Sequence, residues 1–156
     1  MTTAYARRSH ESTSVASVPV VEAMHAGVVT CRADASLSTV ARTMAAHRIH
    51  AVVVVPEKDR GEWRLVSDLD LAAAISEGVV GVATAGEIAS TPNLFVSPDE
   101  TVARATQLMH EYDTHHLIVL ARGSERPLGI VSTLDVADVV AELPQPHAMG
   151  TGANDR

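Results

Sequence analysis

Aromatic residues and cysteine are scarce in this chain of 156 residues. Phe, Trp and Tyr together make up only 3% of it, and Cys31 is the single cysteine. One cysteine excludes an intrachain disulfide and a zinc site built from several thiolates, and it is typical of a reducing compartment, so we expect a cytoplasmic protein. Hydrophobic residues still make up 46% of the chain. The core must therefore consist mainly of Val, Ala, Leu and Ile, which favours sheets packed against helices.

We expect no secretion signal and no membrane span, and the chain has no basic surplus. Its N-terminal stretch contains Arg7 and Arg8 but no apolar run of signal-peptide length, and no segment approaches the roughly 20 apolar residues of a membrane span. Acidic residues outnumber basic ones by 19 to 12, for a net charge of −7. We therefore expect no membrane association and no binding of a nucleic acid duplex. Residues 1–17 and 144–156, rich in small and polar residues, are predicted to be disordered tails.

An internal repeat organises the rest of the chain. A shift of 65 residues aligns the two halves without a gap. The identical pairs include Asp34 and Asp99, Met44 and Met109, His50 and His115, Val54 and Val119, Val66 and Val131, Ser67 and Ser132, Leu69 and Leu134, and Asp70 and Asp135. Such a period indicates one supersecondary unit used twice. We divide the chain into a first repeat at 18–78, a linker at 79–86 and a second repeat at 87–143.

Each repeat has the pattern of a β-α-β-β-α unit. In the first, Leu37, Val40, Ala41 and Met44 share one helical face behind a capping Ser36, and residues 51–55 form an apolar run typical of a strand covered on both faces. A second strand and a second helix follow a polar loop. Units of about 60 residues are marginal alone. The sequence therefore predicts an α/β fold of the α+β type, with two repeats packed about a pseudo-twofold axis and a cleft between them.

Two repeated polar pairs stand where a strand ends and a helix begins. Ser67 with Asp70, and Ser132 with Asp135, have the spacing of a capping box, in which the serine and the acid satisfy backbone N–H groups at a helix N-terminus. The same place in α/β proteins exposes N–H groups to anions, and an ionised Asp accepts hydrogen bonds from two hydroxyls at once. Capping and ligand binding both remain open at this point.

The segment GIVSTLD at 129–135 matches the pattern G-h-h-[ST]-x-x-D, where h is apolar, and RLVSDLD at 64–70 matches it except for Arg64 in place of glycine. From Val20 to about Leu143 the chain resembles a tandem pair of CBS (cystathionine β-synthase) domains, a Bateman module. The resemblance implies a non-catalytic regulatory module without a tightly bound cofactor. It would bind AMP, ADP, ATP or S-adenosylmethionine in the cleft, form a homodimer and control an unidentified protein.

The resemblance also implies two binding sites, in which the motif Asp holds ribose hydroxyls and the motif Ser lies near phosphates. One site would combine Ser132 and Asp135 with Thr30 and Ile49. The other would combine Ser67 and Asp70 with Phe95 and Thr114. The histidines expected to reach phosphates are His50, His115 and His116. If they do, affinity should rise as the pH falls through about 6.5, the ordinary His pKa.

Other functions have weaker support in the sequence. Cys31 has no obvious basic partner and is best explained as a small buried residue. The histidine spacing does not indicate a metal site, because His115 and His116 would point to opposite faces of a strand. P-loop and dinucleotide-binding fingerprints are missing. The alternative that stays open is a structural homodimerisation module without a ligand.

Overall fold

The structure is a computed structural model that describes residues 14–57, 61–89 and 94–143. The strands in the described residues are β1 His25–Ala26, β2 Thr30–Cys31, β3 Ala51–Val54, β4 Arg64–Ser67, β5 Phe95–Val96, β6 His116–Val119 and β7 Gly129–Ser132. The helices are α1 Val20–Ala23, α2 Leu37–His47, α3 Asp68–Ser76, α4 Ala85–Ile88, α5 Val102–Glu111 and α6 Thr133–Ala141. The predicted α+β class is confirmed, since each repeat contains a β-α-β-β-α unit.

The first long helix of each repeat begins at a capping hydroxyl. Ser36 accepts a hydrogen bond from the Thr39 N–H at the start of α2, and Thr101 accepts one from the Arg104 N–H at the start of α5. A cap of this kind contributes about 1 kcal/mol. The three buried positions of α2, Leu37, Val40 and Met44, are buried again 65 positions later in α5, as Val102, Ala105 and Met109. Ala41, predicted on the buried face of α2, is exposed.

Two sheets carry the strands, one for each repeat. The first has the order β2-β3-β4, and the second has the order β1-β7-β6-β5. In both, a short strand pairs in parallel with the strand that follows the helix, which in turn pairs antiparallel with the last strand. The register repeats as well, because Val53 lies opposite Leu65 and Ile118 lies opposite Ile130. Residues 65 positions apart in the sequence therefore occupy equivalent positions in the two sheets.

The second sheet gains a strand, β1, from the beginning of the chain. His25 of β1 lies opposite Ile130 of β7. This pairing needs a glycine at position 129, because a Cβ there would overlap the His25 carbonyl oxygen. The first repeat has Arg64 at the equivalent position, and its guanidinium donates to the Gly86 carbonyl at 2.6 Å. Arg64 thus lies at the opposite end of β4 from the capping Ser67.

The short helices α1 and α4 each pack into the core of the other half of the chain. Val20 of α1 is fully buried in the core of the second repeat. Ala85 of α4, with Ala89, is buried in the core of the first. Residues 85–88 therefore pack with the first repeat, although the sequence placed 85–86 in the linker and 87–88 in the second repeat. Residues 15–17, which the sequence placed in a disordered tail, form a 3-10 turn close to α5. The rest of both predicted tails lies outside the described residues.

A third apolar cluster joins the inner faces of the two sheets. It contains Ala51, Val53 and Leu65 from the first sheet and Ile118 from the second. Burial of a side chain the size of Val or Ile contributes roughly 1.5 to 3 kcal/mol, so the cluster holds the repeats together. Trp63 packs at its edge and donates its indole N–H to the Glu125 carbonyl of the other repeat at 2.8 Å. The chain's single tryptophan therefore bridges the two repeats.

Candidate ligand site between the repeats

The most deeply buried charged side chain among the described residues is Asp135, in the first turn of α6. Only 3% of the residue is exposed. Its Oδ2 atom accepts hydrogen bonds from the Ser132 backbone N–H at 2.6 Å and from the Ser132 hydroxyl at 2.7 Å. Its Oδ1 atom lies 2.6 Å from Nδ1 of His25 in β1. A buried carboxylate needs such partners, because burying a charge without them is costly.

The first repeat reproduces the capping geometry at Asp70. Its Oδ2 atom accepts from the Ser67 N–H at 2.7 Å and from the Ser67 hydroxyl at 2.8 Å. Both repeated Ser and Asp pairs are thus capping boxes, as one of the two interpretations of the sequence required. The capping bonds of both pairs reach Oδ2 of the aspartate. Capping does not exclude a ligand, because a carboxylate oxygen can accept more than one hydrogen bond.

His116, the first residue of β6, faces the space between the repeats. It lies on the same side of the strand as Ile118 of the inter-sheet cluster, because side chains alternate along a strand. Burial lowers the pKa of His116, with smaller contributions from Asp68, His115, His50 and Asp135, of which the two carboxylates oppose the shift. At neutral pH His116 therefore offers a neutral imidazole to a ligand. Any gain in affinity that depends on its protonation would need a pH below 6.5.

The helix N-termini are tied to the strands that carry the predicted phosphate-facing histidines. The Asp68 N–H donates to the His50 carbonyl at 2.9 Å, and the Thr133 N–H donates to the His115 carbonyl at 3.0 Å. The His50 ring also contacts the Asp68 carboxylate, with 2.8 Å between Nδ1 and Oδ2. Asp68, His115, His50 and Asp135 all act on the charge of His116, so the start of β6 lies near the N-termini of α3 and α6.

The other predicted site residues are more widely placed. Thr30 is exposed and lies opposite Val53 in the first sheet, whereas Ile49 packs against the core of the first repeat. Phe95 packs against the inter-sheet cluster. The Thr114 hydroxyl donates to the His116 carbonyl at 3.2 Å. Thr114 thus contacts the residue that lies opposite Ser132, and the part of all four residues in a ligand site stays a prediction.

The second repeat has an open cavity beside the N-terminus of α6. Its volume is about 290 Å³, and it lies between the end of α5 and the start of α6. The lining residues include Thr114 and His115 from the predicted set, together with Thr133. These residues connect the cavity to the N-terminus of α6, next to the Ser132 cap.

Sequence reasoning missed His25, the residue that completes the surroundings of Asp135. Polar identities between the repeats indicated the other site residues. His25 has no such identity, because the residue 65 positions later is a serine, Ser90. The contact depends on the pairing of β1 with β7, which joins residues more than 100 positions apart. A two-residue strand has no periodicity that would have revealed this pairing.

Cys31 and the histidines of the described residues do not form a metal site or a reactive-thiol site. Cys31 is half-buried against the core of the first repeat, and burial raises the pKa of its thiol, which disfavours the reactive thiolate. Within residues 14–57, 61–89 and 94–143, no three His, Cys, Asp or Glu side chains are placed to hold one metal ion. No helix in these ranges is long and apolar enough to cross a membrane.

The architecture and the site define the class: a tandem-repeat α+β protein whose two β-α-β-β-α units face each other and carry one polar motif at equivalent turns. The profile of the CBS domain matches residues 15–77 and 85–142, and the chain belongs to this family. The predicted domain pair is thus confirmed. None of the curated proteins matches the chain in sequence.

Solved structures of CBS proteins have the same fold. The CBS domain pair of protein MJ0100, in complex with 5′-methylthioadenosine and S-adenosyl-L-methionine, has a TM-score of 0.70 at 20% identity, over 80% of this chain and 96% of that one. The CBS domain protein PAE2072 from Pyrobaculum aerophilum, complexed with AMP, has a TM-score of 0.68 at 22% identity, over 81% and 98%. The hexameric CBS-CP12 protein from bloom-forming cyanobacteria has a TM-score of 0.71 at 21% identity, over 83% and 76%.

Proposed function

We propose that this chain is a non-catalytic regulatory module that senses an adenine nucleotide or a related adenosyl compound in the cleft between its CBS repeats. The observation that carries the proposal is the buried carboxylate of Asp135 at the N-terminus of α6, held in place by the Ser132 cap. An ionised carboxylate accepts hydrogen bonds and donates none, so it suits a pair of ribose hydroxyls. The candidate ligands are AMP, ADP, ATP and S-adenosylmethionine. MJ0100 and PAE2072 were solved with compounds of this class.

The position of the cleft explains how binding could be sensed. The charged groups that act on His116 come from both repeats, and the inter-sheet cluster packs the two repeats against each other. A ligand that contacts both repeats favours one relative arrangement of them over others. A partner protein, not yet identified, would read this change. Trp63 bridges the repeats through Glu125 and should report the change by its fluorescence.

Charge around Asp135 favours ligands with little negative charge. Asp68 and Asp135 are carboxylates, and His116 is held mainly neutral by burial. Since the whole chain has a net charge of −7, a triphosphate meets more repulsion than a monophosphate or S-adenosylmethionine. We therefore expect AMP and S-adenosylmethionine to bind more tightly than ATP. A role without catalysis agrees with the raised thiol pKa of Cys31. A cytoplasmic location remains a prediction from the single cysteine.

A thermal-shift screen of AMP, ADP, ATP, S-adenosylmethionine and 5′-methylthioadenosine tests the proposal. A ligand at 100 times its dissociation constant adds about 2.7 kcal/mol to the free energy of unfolding, which corresponds to a rise of roughly 8 °C in Tm for a domain of this size. Guanosine and cytidine nucleotides at the same concentrations are the matched controls. A Tm that none of the adenosyl compounds raises would contradict the proposal.

The second candidate function is a structural homodimerisation module, and one surface favours it. Leu69 and Leu134, at the same position of α3 and α6, are 57% and 59% exposed. Ile75 and Val140, which also occupy equivalent positions of the two helices, are 69% and 49% exposed. Exposed apolar residues repeated in this way are typical of a surface that another protein covers. We propose a second copy of the chain as the partner, whether or not the cleft binds a ligand.

Light scattering after size exclusion measures this association. The double change of Leu69→Asp and Leu134→Asp should convert a dimer into a monomer, because it places two charges in each copy of an apolar interface. Val82→Asp is the control, since Val82 is 82% exposed but lies outside both helices. A wild-type monomer, or a dimer that the double variant leaves intact, would argue against this surface. A dimer whose Tm no adenosyl compound changes would favour the structural function over sensing.

A further inference from the structure

The contact between His25 and Asp135 joins a side chain in solvent to one in the interior. The His25 side chain is 79% exposed, whereas the Asp135 side chain is 2% exposed. Nδ1 of His25 lies 2.6 Å from Oδ1 of Asp135. Because Oδ2 already accepts two hydrogen bonds from Ser132, Oδ1 is the oxygen of this carboxylate that faces outward to the histidine.

The backbone of His25 is fixed, while its ring is not packed. On one side, β1 pairs with β7, and the Gly27 N–H donates to the Leu128 carbonyl at 2.7 Å. Gly129 allows the two strands to approach closely at His25. The imidazole, in contrast, can rotate away from Asp135 without opening the core, because most of its surface is already in water. The ring thus covers a buried acceptor and can leave it.

We propose that His25 is a specificity-determining residue that competes with the ligand for Asp135. In the unliganded chain its imidazole occupies Oδ1, and it must move aside before ribose hydroxyls can donate to that atom. The inference rests on the proposed function, since it assumes that the site binds a ribose. The proposed residue lies outside the G-h-h-[ST]-x-x-D motif. Its competition lowers the affinity only for ligands whose ribose hydroxyls donate to Oδ1.

The competition acts only on ligands that use Oδ1. A nucleotide with both ribose hydroxyls gains hydrogen bonds to Asp135, but its binding breaks the contact between His25 and Asp135 and so costs free energy. A 2′,3′-dideoxynucleotide makes no such hydrogen bonds and leaves His25 in place. Removing the imidazole should therefore strengthen the binding of the first ligand and leave the second unchanged.

Isothermal titration of the full chain with AMP and with 2′,3′-dideoxy-AMP tests the proposal. For His25→Ala we expect the Kd of AMP to fall about threefold to tenfold, the range for a partly exposed hydrogen bond to a charged group, while the Kd of dideoxy-AMP changes less than about twofold. His25→Asn should retain the wild-type Kd, because its amide N–H can still reach Oδ1. His47→Ala, an exposed histidine at the end of α2, is the control and should bind AMP as the wild type does.

The possible results separate this inference from the proposed function. If the wild type binds AMP and His25→Ala binds it equally or more weakly, the competition is wrong while the sensing function stands. An equal gain for AMP and dideoxy-AMP also overturns the competition, since His25 would then act by bulk alone. If neither protein binds AMP or 5′-methylthioadenosine, both the function and the competition fail. Binding by His25→Ala alone would be the strongest support.

Discussion

Asp135→Ala is expected to abolish the thermal shift that AMP or S-adenosylmethionine produces. The change removes an acceptor for both ribose hydroxyls, and each hydrogen bond to a charged group contributes about 1.5 to 3 kcal/mol. The affinity should therefore fall at least 100-fold, which corresponds to about 2.7 kcal/mol. Isothermal titration and thermal shift both measure this loss.

The loss of binding must be separated from a loss of stability. Asp135 also completes the capping box of α6, so Asp135→Ala should lower the free energy of unfolding by about 1 kcal/mol without a ligand. Asp70→Ala removes the equivalent capping box of α3 and is the matched control. Asp70→Ala should retain the thermal shift with AMP, because it leaves the proposed site at Asp135 intact. Asp135→Ala with the wild-type affinity would contradict the assignment of the ribose site to the second repeat.

Gly129→Ala is expected to have a large effect on stability from a single methyl group. The added Cβ would overlap the His25 carbonyl oxygen, which belongs to the backbone and cannot rotate away. The variant must therefore break the pairing of β1 with β7 or distort it, and we expect a loss of about 2 to 4 kcal/mol in the free energy of unfolding. Urea denaturation monitored by Trp63 fluorescence measures this loss.

Gly81→Ala is the control for that experiment. A Cβ at position 81 would have no atom within 4 Å, so this change should alter the stability by less than about 0.5 kcal/mol. Displacement of β1 would also move His25 away from Asp135. Hydrogen exchange at Gly27, whose N–H donates to Leu128, should then become faster in Gly129→Ala than in the wild type. Unchanged stability together with unchanged exchange would contradict the close approach of β1 to β7.

The repeated features of the fold could be predicted because they leave a pattern in the sequence. The apolar run at 51–55 became β3 at Ala51–Val54, and the cap at Ser36 begins α2 where expected. The short helix α4 was not predicted, since its glycine and its flanking GVVGVAT segment are typical of a linker. It forms because Thr84 and Glu87 make a capping box and because Ala85 fits into the core of the first repeat.

Only those site residues that recur in both repeats could be predicted from the repeat itself. Ser132 and Asp135 were found because they recur at a fixed spacing and match a family motif. The contact of His25 with Asp135 has no such signal, because the equivalent residue differs and because β1 reaches β7 only in the folded chain. The burial of His116 was hidden for a related reason. Its counterpart in the first repeat is Ala51, so no polar identity drew attention to the inner face of β6.

A crystal structure of the chain grown with AMP tests the central claim most directly. The account predicts electron density for the nucleotide between the repeats, with at least one ribose hydroxyl about 2.5 to 2.7 Å from Oδ1 of Asp135, the distance of a charge-assisted O–H hydrogen bond. The His25 ring should have moved off that oxygen. An AMP molecule bound away from Asp135 would contradict this claim. So would crystals grown at a saturating concentration of AMP that show no bound nucleotide and keep the contact between His25 and Asp135.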